Sequence, residues 1–171
     1  MPKEPKIDQI DARILQILQE DGRLSNKEVA AKVGLAVSSC FERLKRLRQR
    51  NILQGVHAVV NPESLGIGLE AMVAIRLRRH SHAMHRRLCT HFLSIPEVVA
   101  HYNLAGAEDF LVHLMVRNTE HLYDLLLSSF ATRPEVQSIQ TWLIFTSMRR
   151  HAVPDLRILR ENKPGKSWRP K

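Results

Sequence analysis

The stretch from Ser25 to Arg50, SNKEVAAKVGLAVSSCFERLKRLRQR, constrains the fold more than any other part of the chain. Ser25 and Glu28 have the spacing of a capping box, in which each side chain bonds a backbone N–H that the first helical turn leaves unpaired. Gly34 follows the apolar face of this helix, where a left-handed residue can end the helix and turn the chain sharply. A second amphipathic helix begins directly afterwards, so the stretch predicts a helix-turn-helix.

The second helix of this pair has two faces. Apolar side chains recur at the three-and-four spacing that predicts one buried stripe, namely Val37, Cys40, Phe41, Leu44 and Leu47. On the other face small polar residues come first and cations follow. This order suits a helix whose N-terminal half approaches base edges and whose later cations bind phosphates. The alternative is an ordinary amphipathic helix with a solvated basic face. The preceding helix and turn favour DNA binding, with Ser38, Ser39, Glu42, Arg43 and Arg46 nearest to the bases and Lys45, Arg48 and Arg50 nearer to the phosphates.

Positive charge is concentrated at the two ends of the chain. The 171 residues carry a net charge of +9, divided as +4 over residues 1–62, −1 over 63–148 and +6 over 149–171. This excess favours a polyanionic partner, although charge alone would serve a membrane surface equally well. No apolar run approaches the ~20 residues of a membrane span and no signal-peptide core precedes the first helix, which predicts a cytoplasmic protein without a membrane partner. Cys40 and Cys89 are too few for a disulfide framework, and Cys40 is predicted to be a buried apolar residue.

The segments on either side of the helix-turn-helix complete a small domain. Asp8 or Asp11 can cap a preceding helix, which ends at Asp21 and Gly22. Beyond Arg50 the apolar pattern becomes extended over residues 52–60, which predicts a strand and therefore a winged variant of the motif. The sequence Asn-Pro-Glu-Ser at 61–64 indicates a turn and a hinge.

The second half of the chain alternates between strand and helix patterns. Residues 69–78 show the period of a strand with one buried face. The patterns that follow predict a helix over 83–94, strands over 98–104 and 109–116, a helix over 120–131 and a last strand over 138–148. The order βαββαβ predicts a ferredoxin-like split sheet, and the whole chain is then of the α+β class.

An internal repeat supports this order. The residues Leu88, Phe92, Pro96, Glu97 and Val98 recur 38 positions later as Leu126, Phe130, Pro134, Glu135 and Val136. Each set covers the end of a predicted helix and the beginning of the next strand. The repeat therefore indicates two similar βαβ halves.

Several motifs in this order resemble the leucine-responsive/asparagine-regulator (Lrp/AsnC) family of transcription regulators. The resemblance covers about residues 7–150 and comprises IDQIDARILQILQEDGRLSNKEVAAKVGL, the recognition-helix motif CFERLKRL, the hinge LQGVHAVVNPESLG and the effector loop LAGAEDFLV. It implies a DNA-binding winged helix joined to a βαββαβ domain related to amino-acid-binding regulatory modules. It also implies homodimers formed through that domain, larger assemblies such as tetramers or octamers, and small amino acids bound between dimers.

The resemblance also implies an effector site. By position, the family's effector loop gives Leu104, Gly106 and Asp109, and its ligand-proximal last strand gives Trp142, Leu143 and Ile144. A carboxylate can pair with an α-ammonium group and apolar strand residues can accept a side chain. Without the resemblance, residues 106–109 would be read as an ordinary hairpin turn. The chain departs from the family pattern at Ala36 and Val37, where Ser and Pro are usual, and at Glu108, where an aromatic residue is common.

These observations predict four segments and one function. The segments are a winged helix-turn-helix over 1–52, a hinge strand and linker over 53–66, a ligand-binding and oligomerisation domain over 67–150 and a basic tail over 151–171. The function is that of a sequence-specific transcription regulator that binds double-stranded DNA as a homo-oligomer and responds to an amino acid, with no cofactor besides this effector. The alternative is an amino-acid-sensing or hetero-oligomerising module without sequence-specific DNA recognition.

The remaining patterns do not indicate an enzyme or a metal site. The chain has no phosphate-binding glycine loop, nucleophile elbow or HExxH motif. His80, His82, His85 and His91 lie among arginines, whose charge opposes a bound cation, so no metal is expected. The tail is either a solubility segment or an additional source of phosphate contacts.

Overall fold

The computed structural model describes residues 7–148 and 152–155, so most of the predicted tail, 151–171, lies outside the described residues. The chain divides into a helical unit that extends to Ala58 and a sheet unit, Val59–Met148. The division between them falls within the segment 53–66 that the sequence predicts as the hinge. Each unit has its own apolar core.

Three helices form the helical unit: α1 (Gln9–Glu20), α2 (Asn26–Val33) and α3 (Val37–Gln49). Asp8 caps α1, because its Oδ1 accepts a hydrogen bond from the backbone N–H of Asp11 at 2.8 Å. The two alternatives that the sequence left open for this cap are thereby resolved in favour of Asp8.

The predicted capping box and turn of the helix-turn-helix are confirmed. Ser25 Oγ accepts from the N–H of Glu28 at 3.3 Å, and Glu28 Oε2 accepts from the N–H of Ser25 at 2.7 Å. Gly34 ends α2 with a φ of 70°, a conformation in which a Cβ would be strained. The local signals of this stretch therefore determine where α2 begins and ends.

The core of the helical unit is small and aliphatic. Its buried residues are Ile14, Ile17, Val29, Ala30, Cys40, Leu44 and Leu47. Cys40 is fully buried as predicted, and burial raises the pKa of its thiol. The prediction for Val37 and Phe41 was wrong, because these side chains are 49% and 52% exposed. At about 100° per residue they lie at the edge of the α3 stripe, beyond the narrow sector that α1 and α2 cover.

The strand predicted over residues 52–60 is not formed. Ile52 and Leu53 end α3 with hydrogen bonds from their N–H groups to the carbonyl of Leu47, and both pack against the helical core. Residues 54–60 have neither helical nor strand hydrogen bonding. An extended segment becomes a strand only when a neighbour satisfies its backbone groups, and the described part of the chain supplies no such neighbour. The helix-turn-helix is thus confirmed without a paired wing.

The sheet unit has the predicted βαββαβ order. Its elements are β1 (Leu69–Leu77), α4 (His82–Ser94), β2 (Val98–Asn103), β3 (Phe110–Val116), α5 (Thr119–Leu125) and β4 (Val136–Ile144). The strands lie in the order β2-β3-β1-β4 and every pairing is antiparallel. This is the ferredoxin-like arrangement that the sequence predicts.

Both helices of this unit cover the same face of the sheet. β1 directs Val73 and Ile75 toward this face, where they join Phe92 of α4 and Phe130 of the turn after α5 in one core. The alternate residues of β1, such as Met72, lie on the opposite, open face. The side chains that pack in the core are determined by the period-2 pattern that was visible in the sequence.

The internal repeat corresponds to equivalent structure. Phe92 and Phe130 stack with ring centroids 5.8 Å apart. Val98 and Val136 are the first residues of β2 and β4, and each donates its N–H to a carbonyl three residues earlier. The duplicated residues therefore form the same helix-to-strand connection twice and meet in the centre of the core.

In the sheet unit most predicted bounds agree with the structure to within one residue, and two elements differ by more. After α5 the chain continues as a π-helical turn, Leu126–Ala131, instead of a regular α-helix. β4 begins at Val136 and ends at Ile144, not at residue 148, because the last register pair with β1 is Glu70 with Ile144. A strand extends only as far as its neighbour offers hydrogen-bonding partners.

Candidate nucleic-acid interface and ligand site

The exposed face of α3 contains most of the side chains that the sequence assigned to DNA. The exposed members of that set are Ser38, Ser39, Glu42, Lys45, Arg48 and Arg50. Ser38, Glu42 and Lys45 follow one another along the middle of this face at intervals of three or four residues. The fold therefore presents a polar surface with cations toward its C-terminal end.

Arg43 and Arg46 differ from the other cations because they bind carboxylates of α1. Arg43 Nη1 lies 2.5 Å from Asp8 Oδ2 and 2.8 Å from Asp11 Oδ1. Arg46 Nη2 lies 3.1 Å from Asp11 Oδ2. Asp11 is only 2% exposed, so one buried carboxylate holds two guanidinium groups.

These contacts have an electrostatic consequence. The hydrogen bond from Arg43, together with the backbone N–H of Asp11, holds the pKa of Asp8 below its ordinary value. The hydrogen bonds that Arg43 donates to the carboxylates of Asp8 and Asp11 raise the pKa of Arg43. Two cations that the sequence placed near the bases are thus partly neutralised within the chain. This role of Asp8 and Asp11 was not predicted from the sequence, in which both residues are candidates for a helix cap.

The start of α3 shows the effect of the departure from the family pattern. Ala36 occupies the N-cap position and makes no side-chain capping bond. Asn26 of α2 instead donates from Nδ2 to the carbonyl of Val37 at 2.9 Å. This bond attaches the first turn of α3 to α2, which leaves the side chain of Val37 at the surface.

The loop between β2 and β3 contains the first half of the predicted ligand site. Leu104 donates its N–H to the carbonyl of Asp109 at 2.9 Å, which closes the loop. Asp109 Oδ2 accepts from the N–H of Leu77 at 2.8 Å, and Oδ1 lies 3.2 Å from His80 Nδ1. A Cβ at Gly106 would meet nothing within 4 Å. The carboxylate therefore connects the loop to the end of β1, and His80 is a neighbour that the sequence did not identify.

The second half of the predicted ligand site lies at the other end of β1. Trp142 is paired with Met72, Leu143 with Ala71 and Ile144 with Glu70. Asp109 contacts Leu77, five residues beyond Met72, which corresponds to roughly 16 Å along a strand. A single chain therefore does not bring the two halves of the predicted site together.

The open face of the sheet is mainly apolar and contains one buried polar pair. Trp142, Met72 and Leu111 lie on this face, and Trp142 is 50% exposed. His113 Nε2 lies 2.8 Å from Glu70 Oε2, and His113 is almost fully buried. This pair could not be predicted from the sequence, because it depends on the register of β1 against β3.

Two histidines of α4 have separate partners. His85 stacks on Phe110 with ring centroids 4.9 Å apart, and His91 Nε2 lies 2.8 Å from the carbonyl of Ser129. Within residues 7–148 and 152–155, no three His, Cys, Asp or Glu side chains are arranged to hold a metal ion. Over the same ranges no helix is long and apolar enough to cross a membrane.

Two family models match the chain, one on each unit. Residues 7–48 match the AsnC-type helix-turn-helix domain. Residues 70–154 match the Lrp/AsnC ligand binding domain. Together they include both candidate sites, the exposed face of α3 and the β2–β3 loop with β4.

Individual relatives and solved structures agree with these matches. The chain is 34% identical over 143 residues to the HTH-type transcriptional regulator AldR of Mycolicibacterium smegmatis, with 84% of each protein covered. It is 35% identical over 135 residues to the DNA-binding transcriptional activator DecR of Escherichia coli, covering 77% of this chain and 89% of that one. Among solved structures, a transcriptional regulator of Neisseria meningitidis in complex with L-Met superimposes with a TM-score of 0.82 at 28% identity, covering 90% of this chain and 99% of the other.

Proposed function

The chain belongs to the Lrp/AsnC family of DNA-binding transcription regulators, which are not enzymes, and from this premise we propose which residues read DNA and which bind an effector. The observation that carries the proposal is the exposed face of α3. One side of this helix closes the helical core, and the other side presents hydroxyl, carboxylate and ammonium groups outward. Such a helix can enter the major groove, where base edges offer a distinct pattern of donors and acceptors.

The roles along α3 follow from position and charge. Ser38, Ser39 and Glu42 lie near its N-terminal end and approach base edges. Lys45, Arg48 and Arg50 lie nearer its C-terminal end and bind phosphates. Arg43 and Arg46 also face the DNA, but their guanidinium groups are oriented by Asp11. Because the two side chains are already oriented, less side-chain entropy is lost on binding. The negative charge of the carboxylate also offsets part of their sequence-independent attraction to phosphate.

The effector site is proposed to form between subunits. Leu104, Gly106 and Asp109 of one chain combine with Trp142, Leu143 and Ile144 of another, because one chain holds the two sets at opposite ends of β1. Asp109 accepts an α-ammonium group, Gly106 leaves space for the ligand, and the β4 residues contact its side chain. An amino acid is the ligand that suits this set, in agreement with the L-Met complex of the Neisseria relative.

A second copy of the chain is proposed to cover the open face of the sheet. This face exposes Trp142 and Tyr102 and contains Met72 and Leu111, a combination typical of an apolar interface between subunits. A two-fold dimer would carry two α3 helices and would bind inverted half-sites about one helical turn apart, roughly 34 Å, or a multiple of it. Tetramers or octamers would arise from contacts between such dimers. An amino acid bound between subunits would then change the assembly or the spacing of the α3 helices.

Selection of DNA by the purified full-length chain tests the reading face. Random duplexes are selected by binding, and the enriched duplex is compared with a scrambled duplex in gel shifts. We expect enrichment of an inverted repeat and at least a tenfold preference for it.

The variants Glu42→Ala and Arg46→Ala should reduce this preference, whereas Glu20→Gln, at an exposed position of α1, should not. Unchanged preference in both α3 variants would refute the assignment. Absence of any enriched sequence would support the sensing module without sequence-specific recognition.

The effector proposal has its own measurement. Sedimentation of the full-length chain with and without each of the twenty amino acids should reveal at least one that changes the distribution of oligomers. Asp109→Asn is expected to abolish that change, because an amide pairs only weakly with an α-ammonium group. If Asp109→Asn responds like the unmodified chain, the ammonium partner is a different group.

A further inference from the structure

The two exposed apolar side chains of α3 are unexpected on a helix that faces DNA. Val37 is 49% exposed and Phe41 is 52% exposed, and they lie one turn apart at positions i and i+4. Phenylalanine is among the most hydrophobic side chains, and exposure of about half of its surface to water is unfavourable in free energy. Burial of this surface in a complex would therefore be favourable. No residue within 7–148 or 152–155 covers this pair, which leaves it available to a partner.

The position of the pair on the helix indicates which partner. At about 100° per residue, Phe41 lies between Arg48 and Lys45 around the helix, and Ser38 is adjacent to both Phe41 and Lys45. Arg43 and Arg46 lie on the other flank, where Asp8 and Asp11 hold them. Lys45 follows Phe41 by one turn and Arg48 by two turns on the same side of the helix, and neither has a carboxylate partner among the contacts described above. A surface on which these cations extend the apolar pair complements a polyanion.

The major groove offers one apolar group of matching size. The C5 methyl of thymine projects into the groove and is contacted by apolar side chains in direct readout, whereas cytosine, guanine and adenine present only polar atoms or a bare C5–H there. Backbone phosphates on either side of such a base would lie within reach of Lys45 and Arg48. The same cations would disfavour an apolar protein partner, because its binding would desolvate them.

We propose that Phe41, supported by Val37, contacts the 5-methyl group of a thymine in each half-site and so determines a preference for thymine at that position. The proposal rests on the proposed function, in which the exposed face of α3 enters the major groove. Phe41 is then a specificity-determining residue, in addition to the polar residues of this face. Burial of one methyl group corresponds to about a fourfold change in affinity per half-site, which is about 0.8 kcal/mol.

Replacement of thymine by deoxyuridine tests this contact, because the exchange removes only the methyl group. The probe is the duplex enriched by the full-length chain, with each thymine replaced singly and symmetrically in both half-sites. We expect one thymine at which the exchange weakens binding of the unmodified chain about fourfold per half-site. In Phe41→Ala the same exchange should change affinity by less than 1.5-fold, whereas Phe41→Leu should retain part of the effect.

Controls separate the contact from effects on folding. Leu93→Ala removes an exposed apolar side chain from α4 and should leave the deoxyuridine effect unchanged. Circular dichroism of Phe41→Ala checks that its helices are intact. If they are not, the unmodified chain and Phe41→Leu still report on the methyl group.

The proposal is overturned if no deoxyuridine weakens binding, or if the loss is equal in Phe41→Ala and the unmodified chain. A selection without any enriched sequence refutes the proposed function as well, so the two failures are distinguishable.

Discussion

Among the residues that the structure describes, seven buried apolar residues form the core of the helical unit, and none of these is aromatic. The core of the sheet unit contains fifteen such residues, among them Phe92, Phe110 and Phe130. The helical unit compensates with polar contacts. A capping box fixes the start of α2, and the buried carboxylate of Asp11 connects α1 to Arg43 and Arg46 of α3. The sheet unit relies mainly on ring packing and strand pairing.

The helix that we propose to face DNA therefore also stabilises a small domain. A unit of about 60 residues buries a limited fraction of its surface, so each specific contact has a large share in its stability. Arg43 and Arg46 therefore contribute to the free energy of unfolding as well as to the charge of the reading face. In the sheet unit, by contrast, the residues proposed to bind ligand are separate from the core.

The largest effect is expected from truncation of the aromatic core. Phe92→Ala removes a fully buried ring that lies 5.2 Å from Phe110 and 5.8 Å from Phe130 between centroids. The sheet unit should lose about 3–5 kcal/mol of unfolding free energy, measured by urea denaturation. Leu93→Ala, one residue further along α4 and exposed, should change it by less than about 0.5 kcal/mol. Equal effects of the two substitutions would mean that the ring packing is not the basis of stability.

A smaller effect is expected from the buried carboxylate of the helical unit. Asp11→Asn removes the charge that pairs with Arg43 and Arg46 while preserving the shape of the side chain. Since both arginines are partly exposed, we expect a loss of about 2 kcal/mol in the helical unit, less than for a fully buried pair. Thermal unfolding of Asp11→Asn against Glu20→Gln, an exposed control on the same helix, measures this. A difference below about 0.5 kcal/mol would show that the polar contacts of this unit are dispensable.

The pH dependence of Asp8 tests how much the polar contacts contribute to the stability of the helical unit. Its pKa is lowered in the folded chain, mainly by the hydrogen bond from Arg43, so the folded state binds this proton less readily than the unfolded state does. The resulting stability is fully present above the unfolded pKa of about 3.9 and is lost as pH falls through the lower folded value.

Asp8→Asn should keep the helix cap but remove this pH dependence. Because half of the Asp8 side chain is exposed, the variant should be less stable than the unmodified chain by under about 1 kcal/mol at pH 6, and the difference should shrink toward pH 2.5. Urea midpoints at the two pH values provide the measurement. A difference that grows on acidification would have the wrong sign for this explanation.

The smallest change in stability is expected at Gly106. Its φ is not left-handed and an added Cβ meets nothing within 4 Å, so Gly106→Ala should alter unfolding free energy by less than about 0.5 kcal/mol. Ligand affinity should nevertheless fall about tenfold or more if the effector approaches this loop. Calorimetric titration with the amino acid that changes sedimentation gives the affinity, and Gly68→Ala, whose Cβ would lie 2.5 Å from the carbonyl oxygen of Arg117, provides a destabilised contrast. Unchanged affinity would place the ligand elsewhere.

Sequence alone predicts the features that depend on short-range chemistry. Ser25, Glu28 and Gly34 determine the bounds of α2 because their partners lie within a few residues. The repeat around Phe92 and Phe130 identifies two equivalent connections, and the resemblance to the Lrp/AsnC family supplies the order of the motifs. These features required no knowledge of tertiary packing.

The features that sequence alone did not predict depend on distant or external partners. Asp11 meets Arg43 and Arg46 across more than thirty residues, and His113 meets Glu70 only because β1 and β3 adopt one register. Phe41 belongs to an apolar pattern, but the width of the buried sector is determined by how α1 and α2 pack. The segment 54–61 has a strand-like sequence but no partner strand among the residues described.

The position of β4 in the sheet determines the order in which this protein can fold during synthesis. β1 lies between β3 and β4, and its pairing with β4 joins Glu70 to Ile144, more than seventy residues further along the chain. The contacts among the three helices all lie within the first part of the chain, so these helices can pack while the ribosome is still translating the sheet unit. By contrast, β1 keeps one unpaired edge until the last strand has emerged. A transcript that ends before Val136 would therefore yield a folded helix-turn-helix attached to an aggregation-prone three-stranded sheet.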